Sequence, residues 1–170
     1  NFHLDNLLKM ENVNVCALAA QNEERLHATV KKVPSATLYK TGEEMLENQK
    51  DLDAAIFCVT PARHGALEKI AAEKGVNIYV EKPIGLDMDL VNENIKAIEK
   101  AGIVAAVGYQ GRYNKALNDV KEFLNGRKIG YVEGKWLGNM PGPMWWRDKN
   151  GSGGQIVEQC THIFDILRYL

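Results

Sequence analysis

The chain has 170 residues, of which 45% are apolar and 25% charged, and its formal net charge is -1 at pH 7. These values are typical of an ordinary soluble globular protein of one domain or a little more. The near-neutral charge provides no basic surface for nucleic acid, and no apolar run approaches the length that crosses a membrane. We therefore expect neither nucleic acid nor a membrane as a partner.

The three cysteines, Cys16, Cys58 and Cys160, are far apart and lie in apolar runs. An odd, scattered set of this kind indicates reduced, buried thiols in a cytoplasmic protein rather than a disulfide framework. No Cys/His spacing resembles a zinc motif, so we expect no metal.

Strands and helices alternate through the first two thirds of the chain. Apolar or β-rich runs predict strands at 13–19, 37–39, 54–59, 77–80 and 104–108, and helical patterns predict helices at 23–31, 42–49, 61–74 and 88–101. Thr41 and Glu44 form a capping-box pattern at the second of these helices. This alternation, at the spacing of right-handed βαβ units, predicts an α/β fold with a doubly wound parallel sheet.

The regular succession of strands and helices ends after Asn114. A helix predicted to about residue 125 is followed by a run of alternating apolar and polar residues at 131–137. The alternation predicts a half-exposed strand. We therefore expect a second domain of different architecture to begin here. A last helix is predicted from about Gly153, with a capping-box pattern at Ser152 and Gln155. We therefore predict two domains, at residues 1–113 and 114–170.

Lys82 lies between Glu81 and Pro83, at the carboxyl end of a predicted parallel strand. Open α/β sheets bind ligands at such ends. Pro83 keeps Lys82 out of the helical region, so the Lys side chain leaves the strand in a defined direction. The alternative is a solvated Lys in an ordinary loop.

Glu158, His162 and Asp165 are spaced i, i+4 and i+7, so we predict that they share one face of the last helix. A carboxylate one turn from a His can orient the imidazole and raise its basicity. His162 could then act as a general base near neutral pH. The alternative is the polar face of an amphipathic helix.

Three further stretches could contact a ligand. Residues 60–64 follow a strand and begin a helix, where phosphate or ribose can bind, or they could form only a capped helix start. Residues 108–114 also follow a strand end, and could bind a polar ligand or form an interdomain turn. Residues 145–148 carry Trp and Arg that suit ligand stacking, although Trp often packs under a loop.

Together these motifs resemble the Gfo/Idh/MocA family, the glucose–fructose oxidoreductase and inositol dehydrogenase group. The resemblance rests on Thr60-Pro61 with His64, Glu81-Lys82-Pro83, Gly108-Tyr109-Gln110 with Arg112-Tyr113-Asn114, Trp146-Arg147, and Gly153-Gly154 followed by a carboxylate and His162. It implies a Rossmann domain at 1–113 that binds NAD or NADP. It also implies that 114–170 begin an open-sheet α/β domain that holds substrate and pairs subunits.

The resemblance also implies roles for single residues. Lys82 would lie beside the nicotinamide ribose and the reacting carbon, and His162 would be the acid/base for the substrate hydroxyl. Glu158 stands where the family commonly has Asp, and completes the catalytic set. The implied cofactor contacts are Thr60, Pro61, His64, Glu81, Lys82, Gln110, Ala20 and Gln21. The implied substrate contacts are Arg112, Tyr113, Trp146, Arg147 and Asp165.

The chain departs from the family pattern in two ways. It has no initiating Met and no glycine-rich phosphate loop, so we expect a fragment that lacks this loop, the first strand and most of the second domain. Ala20 and Gln21 stand where an acid usually holds the adenosine ribose. Losing that carboxylate removes its repulsion of a 2′-phosphate. No Arg stands at either position, although Arg25 is nearby, so NAD and NADP both remain open.

We therefore expect an NAD(P)-dependent oxidoreductase that acts on a secondary alcohol or carbonyl of a sugar, inositol or related polyol. We also expect a cytoplasmic homo-oligomer that assembles through the C-terminal sheet. The alternative is a non-catalytic dinucleotide-binding regulator of the same fold. The pair Lys82 and His162 argues against it, because a pure binding module needs neither.

Overall fold

The computed structural model describes residues 2–170, so Asn1 lies outside the described part of the chain. The chain divides into two compact units, 1–52 and 53–170. No helix among the described residues is long and apolar enough to cross a membrane. The predicted domain boundary after residue 113 stays a prediction.

The first unit contains two short parallel strands and three helices. They are α1 (Phe2–Leu7), β1 (Ala17–Ala19), α2 (Glu23–Val30), β2 (Thr37–Tyr39) and α3 (Gly42–Asn48). The strands pair with Ala17 opposite Thr37. The strand predicted at 13–19 is therefore only three residues long, because only these residues face a partner strand.

Side-chain caps fix the beginnings of two of these helices. Asn22 accepts a hydrogen bond from the backbone N–H of Arg25 at 2.8 Å, at the start of α2. Thr41 accepts one from the N–H of Glu44 at 3.1 Å, which confirms its predicted cap. The Glu44 carboxylate, however, accepts from the N–H of Lys40 rather than of Thr41, so the predicted reciprocal capping box is wrong.

The second unit is built on a three-stranded parallel sheet, in the order β3-β4-β5. Its strands and main helices are β3 (Ala54–Phe57), α4 (Ala66–Glu73), β4 (Asn77–Val80), α5 (Met88–Ala101) and β5 (Ala105–Val107). Phe57 lies opposite Val80, and Val80 opposite Val107. The predicted parallel α/β fold is confirmed, and the three strands end at one edge.

The helix predicted at 61–74 is broken near its start. Pro61–Arg63 form a 3₁₀ turn, and α4 begins only after Gly65. Gly65 has φ +129°, and a Cβ there would lie 2.3 Å from Cδ2 of Leu90. Glycine is therefore required both by the backbone conformation and by the close approach of α5.

Residues 128–143 contain neither helix nor strand, so the strand predicted at 131–137 is wrong. The alternating pattern is present in the sequence, but no neighbouring strand among the described residues pairs with this backbone. A strand without a partner gains no ladder hydrogen bonds. The preceding helix α6 (Lys115–Leu124) agrees with its prediction and is capped by Asn114.

The single helix predicted from Gly153 is two helices, and a further short helix precedes it. They are α7 (Lys149–Ser152), α8 (Gln155–Glu158) and α9 (Thr161–Tyr169). Gly153 and Gly154 have φ +77° and +80°, which ends α7. The Ser152 hydroxyl donates to carbonyl oxygens in the preceding turn rather than capping α8, so the predicted capping box is wrong.

The three cysteines are free thiols, but their predicted burial is wrong. Cys58 is exposed, and Cys16 and Cys160 are half-buried. Cys58 follows the last residue of β3, at the carboxyl edge of the sheet.

The core of the second unit supports the sheet edge, so a core truncation tests the fold. Phe57 on β3 is 3% exposed, whereas Phe2 is 76% exposed. We predict that Phe57→Ala lowers the free energy of unfolding of the whole protein by about 3–5 kcal/mol, through lost burial and a cavity. Phe2→Ala should change it by less than about 0.5 kcal/mol. Equal losses in urea denaturation would contradict this packing.

Candidate active site

The candidate site lies at the carboxyl edge of the three-stranded sheet. Thr60, Glu81 and Gly108 follow β3, β4 and β5 at this edge. A Cβ at Gly108 would lie 2.9 Å from the Tyr79 hydroxyl oxygen and 3.0 Å from both carboxylate oxygens of Glu81. Any larger residue here would have to displace the Tyr79 hydroxyl and the Glu81 carboxylate, so glycine suits this close approach.

Lys82 makes a nearly dry ion pair with Glu158. Its ammonium donates to the Glu158 carboxylate Oε1 at 2.5 Å and to the Glu158 carbonyl oxygen at 2.7 Å. The side chains of Lys82 and Glu158 are 13% and 6% exposed. The ammonium also lies 5.8 Å from the centroid of the Trp146 ring, within cation–π range.

The break between α8 and α9 makes the second of these hydrogen bonds available. In one continuous helix the Glu158 carbonyl would accept from the N–H of His162. Here α8 ends at Glu158, and the His162 N–H donates to the Gln159 carbonyl at 3.3 Å. The Glu158 carbonyl is thereby left for Lys82, at a helix end that favours a positive charge.

Two aromatic rings enclose the His162 imidazole. His162 as a whole residue is 8% exposed. Trp136 stacks on it with centroids 5.2 Å apart and planes at 19°, and Tyr109 meets it edge-on at 6.1 Å and 88°. The Tyr109 hydroxyl also shares a 2.8 Å hydrogen bond with the hydroxyl of Thr161. These contacts hold the start of α9 against the loop that follows β5.

Electrostatics favour the neutral form of His162. Burial lowers the pKa of its imidazole below the ordinary value, and the nearby charge of Lys82 lowers it further. The carboxylates of Glu158, Glu81 and Asp165 act in the opposite direction but do not reverse the shift. The ring is therefore neutral at pH 7 and has a lone pair that can accept a proton.

The predicted orienting contact from Glu158 to His162 is wrong. The Glu158 carboxylate binds Lys82 on one side and the Gln159 side-chain amide on the other. Because the helix breaks between Glu158 and His162, the i, i+4 relation no longer puts their side chains in direct contact. Glu158 acts on the imidazole through charge alone.

Arg112 and Asp165 bind each other. The Arg112 Nε donates to the two carboxylate oxygens of Asp165 at 2.9 and 3.1 Å, and a terminal nitrogen of the same guanidinium also donates to Asp165. This bond raises the pKa of Arg112. The guanidinium also lies 5.5 Å from the Tyr169 ring centroid. The pair fastens α9 to the loop after β5, and its predicted contact with substrate stays a prediction.

The remaining predicted cofactor contacts differ in accessibility. The Thr60 hydroxyl makes no capping bond to the 3₁₀ turn that it precedes, and Gln110 is exposed at the start of another turn. The His64 side chain is buried, with Nδ1 2.7 Å from Glu68 Oε1. Pro61 is buried as well. Their contacts with a cofactor stay predictions.

Ala20 and Gln21 follow β1 in the first unit. Ala20 is half-buried and donates its N–H to the Tyr39 carbonyl at 3.2 Å, while Gln21 is exposed. No acidic side chain stands at either position. Their predicted contact with the adenosine ribose stays a prediction.

A cleft of about 540 Å³ opens beside the Lys82–Glu158 pair. Its lining combines aromatic and polar side chains, among them Trp136, Trp146, Arg147, Gln155 and Glu158. Pockets of about 300–1,000 Å³ hold small-molecule ligands. Tyr113, by contrast, is 84% exposed and is not part of this lining, so its predicted substrate contact stays a prediction.

Trp136 is the site residue that the sequence reasoning missed. It lies in the alternating run at 131–137, which gave only a strand prediction. The sequence offered one indication of its role, namely that a large aromatic side chain stands in a run otherwise expected to be half-exposed. Such a residue usually packs under something, but the partner, His162, cannot be read from a local pattern.

The residues at the sheet edge fit the reactive end of a nicotinamide dinucleotide. The strand ends converge there, a buried ammonium and a neutral imidazole lie together, and the Thr60 hydroxyl is not used by a cap. The sequence contains no G-x-G-x-x-G run, so the chain does not supply the usual glycine-rich cradle for the phosphates. Among residues 2–170 no cluster of three His, Cys, Asp or Glu could hold a metal.

A parallel sheet with this group of residues at its carboxyl edge defines an α/β protein of the Rossmann class. Residues 1–109 match the family described as "Oxidoreductase family, NAD-binding Rossmann fold", that is, Gfo/Idh/MocA. The chain belongs to this family, which confirms the resemblance found in the sequence. The prediction of a nicotinamide dinucleotide cofactor is likewise confirmed at the level of the family.

Relatives with assigned names include two bacterial inositol dehydrogenases. Myo-inositol 2-dehydrogenase of Thermotoga maritima is 25% identical over 169 residues, which cover 99% of this chain and 50% of that enzyme. The scyllo-inositol 2-dehydrogenase (NAD(+)) of Bacillus subtilis is 31% identical over 130 residues, 75% of this chain and 37% of that enzyme. The chain thus spans about half the length of the curated relatives it matches, or less.

Solved structures show the same fold. The WlbA dehydrogenase of Bordetella pertussis, in complex with NADH and UDP-GlcNAcA, has a TM-score of 0.83 and 21% identity, covering 99% of this chain and 51% of that one. A probable dehydrogenase from Thermotoga maritima has a TM-score of 0.80 and 24% identity, covering 98% and 50%. At these identities the likeness establishes the fold and nothing finer.

The dry ion pair predicts a large loss of stability when one partner is removed. We expect Lys82→Met to cost about 3–5 kcal/mol of unfolding free energy in the whole protein, because Glu158 is left as an unpaired buried carboxylate. Adding Glu158→Gln should recover part of the loss, since it removes the stranded charge.

The exposed pair Lys115–Asp119, with side chains 87% and 59% exposed, is the matched control. Lys115→Met should cost less than about 1 kcal/mol. Urea denaturation measures all three variants. A double variant no more stable than Lys82→Met would contradict the proposed origin of the loss.

Proposed function

We propose that the whole protein is an NAD(P)-dependent oxidoreductase that acts on a secondary alcohol or carbonyl of a sugar, inositol or related polyol. This proposal rests on one observation. Lys82, Glu158 and His162 lie together at the carboxyl edge of a parallel sheet, beside the cleft. An ammonium and a neutral imidazole in one dry site suit proton transfer and oxyanion stabilisation together.

When bound, the cofactor supplies hydride transfer. His162 accepts the proton of the substrate hydroxyl during oxidation and returns it during reduction, because its lowered pKa keeps a lone pair available. The Lys82 ammonium stabilises the negative charge that develops on the same oxygen. Glu158 holds that ammonium in place with two acceptors.

Two facts support a polyhydroxylated ring as the substrate. Two of the similar proteins are named for inositol. The cleft is lined by Trp136 and Trp146 together with the polar side chains of Arg147 and Gln155. Aromatic faces pack on the C–H side of a sugar-like ring, while the polar groups bind its hydroxyls.

The choice of cofactor rests on the first unit. One relative is named for NAD(+), and one similar structure contains NADH, which favours NAD. Ala20 and Gln21 present no carboxylate to repel a 2′-phosphate, which admits NADP. Thermal-shift titration of the whole protein with each cofactor distinguishes the two. Homo-oligomerisation through the C-terminal sheet and a cytoplasmic location stay predictions.

Lys82→Ala tests the proposed function directly. We expect kcat of the whole protein to fall by about 10²–10⁴-fold, because a positioned proton-transfer or charge-stabilising group is lost. Cofactor affinity, measured by quenching of protein fluorescence, should change little. Lys115→Ala is the control, since Lys115 is exposed and remote from the ion pair. A kcat within about threefold of the parent would remove Lys82 from the mechanism.

His162→Asn tests the acid/base. Because the pKa of His162 is lowered, polyol oxidation by the parent should lose rate only as the pH falls below about 6.5, the ordinary His value. The variant should lower kcat/KM and lose this acid limb. His27→Asn, which changes an exposed His, should keep it. A pH profile of His162→Asn identical to that of the parent would exclude His162 as the base.

A further inference from the structure

We propose that Trp136 is a positioning residue for His162, whose imidazole plane is fixed by the stacked indole. This role rests on the proposed function, because it is the proton transfer of His162 that the indole would serve. The stack itself is a feature of the structure: the centroids are 5.2 Å apart and the planes at 19°.

The imidazole needs aromatic contacts because no hydrogen bond within residues 2–170 sets its orientation. The second side-chain torsion of His is broad, so the rotamer does not fix the ring plane. Within residues 2–170, neither ring nitrogen of His162 has a hydrogen-bond partner, and Glu158 is engaged with Lys82. The orientation of the ring therefore depends on packing.

The two aromatic contacts restrain the ring in complementary ways. Trp136 lies against one face of the imidazole, while Tyr109 meets it at 88° and 6.1 Å. The face contact limits tilting of the ring, and the edge contact limits its sliding across the indole. Together they restrain the ring plane without a hydrogen bond to either nitrogen, so the nitrogen that carries no proton stays available to accept one.

The segment that carries Trp136 is itself fastened to α9. A Cβ at Gly134 would lie 2.2 Å from Cγ2 of Ile163, the residue that follows His162. Gly134 and Trp136, two residues apart, therefore both contact α9. The glycine allows the close approach, and the indole then covers the imidazole.

Nuclear magnetic resonance of the whole protein tests the stack without any need for turnover. A ring lying on an indole face is shifted upfield by its ring current, so the imidazole protons of His162 should resonate upfield of those of the exposed His27. His162→Asn assigns the signal. Trp136→Phe should keep part of the shift, and Trp136→Ala should abolish it. Leu137→Ala, which changes a neighbour that is 87% exposed, should leave it unchanged.

Kinetics then test the positioning role. We expect Trp136→Ala to lower kcat by about 10- to 100-fold with a smaller effect on KM, as expected for a misplaced acid/base. Trp136→Phe should recover most of kcat, and Leu137→Ala should match the parent. If Trp136→Ala does not fold, as judged by circular dichroism, the Phe variant still supplies the comparison, with an intermediate kcat and shift.

Different failures have different meanings. An upfield shift missing from the parent, an unchanged kcat in Trp136→Ala, or an effect confined to KM would each overturn the role of Trp136 alone. The last result would leave Trp136 with only the substrate contact proposed above. A parent without turnover on any polyol would overturn the proposed function, and the role of Trp136 with it.

Discussion

The ion pair between Lys82 and Glu158 is the constraint on which the rest of the site depends. It joins residues 76 positions apart in the chain, one at the end of β4 and one at the end of α8. Removing two charges from water is costly, and one hydrogen bond rarely offsets the cost. Here Glu158 offers its carbonyl as well as its carboxylate, so the ammonium gains two short bonds from a single residue.

That second bond depends on the break between α8 and α9. A continuous helix would consume the Glu158 carbonyl, whereas two helices meeting near Gln159 release it and turn His162 towards Trp136 and Tyr109. The stacking of His162 and the pairing of Lys82 therefore have the same structural cause. The neutral imidazole follows from both, because burial and the nearby ammonium act in the same direction on its pKa.

The sheet could be predicted from sequence because its determinants are local. Apolar runs and cap residues mark each βαβ unit, and α5 occupies the predicted residues 88–101. Lys82 could be placed at the sheet edge for the same reason. The single helix from Gly153, the strand at 131–137 and the cap at Ser152 failed where a long-range contact decides the outcome. The Arg112–Asp165 pair and the Trp136–His162 stack are likewise set by tertiary packing, which no periodic pattern encodes.

The resemblance to the family implies an Asp at position 158, and the Glu that stands there fits this geometry. A lysine leaving β4 beside Pro83 has its direction set by the strand, so the acceptor has to reach the ammonium from the helix end. The extra methylene of Glu158 lets its carboxylate fold back towards the same ammonium that its own carbonyl binds. A shorter Asp would have to give up one of the two contacts or draw α8 closer to the sheet.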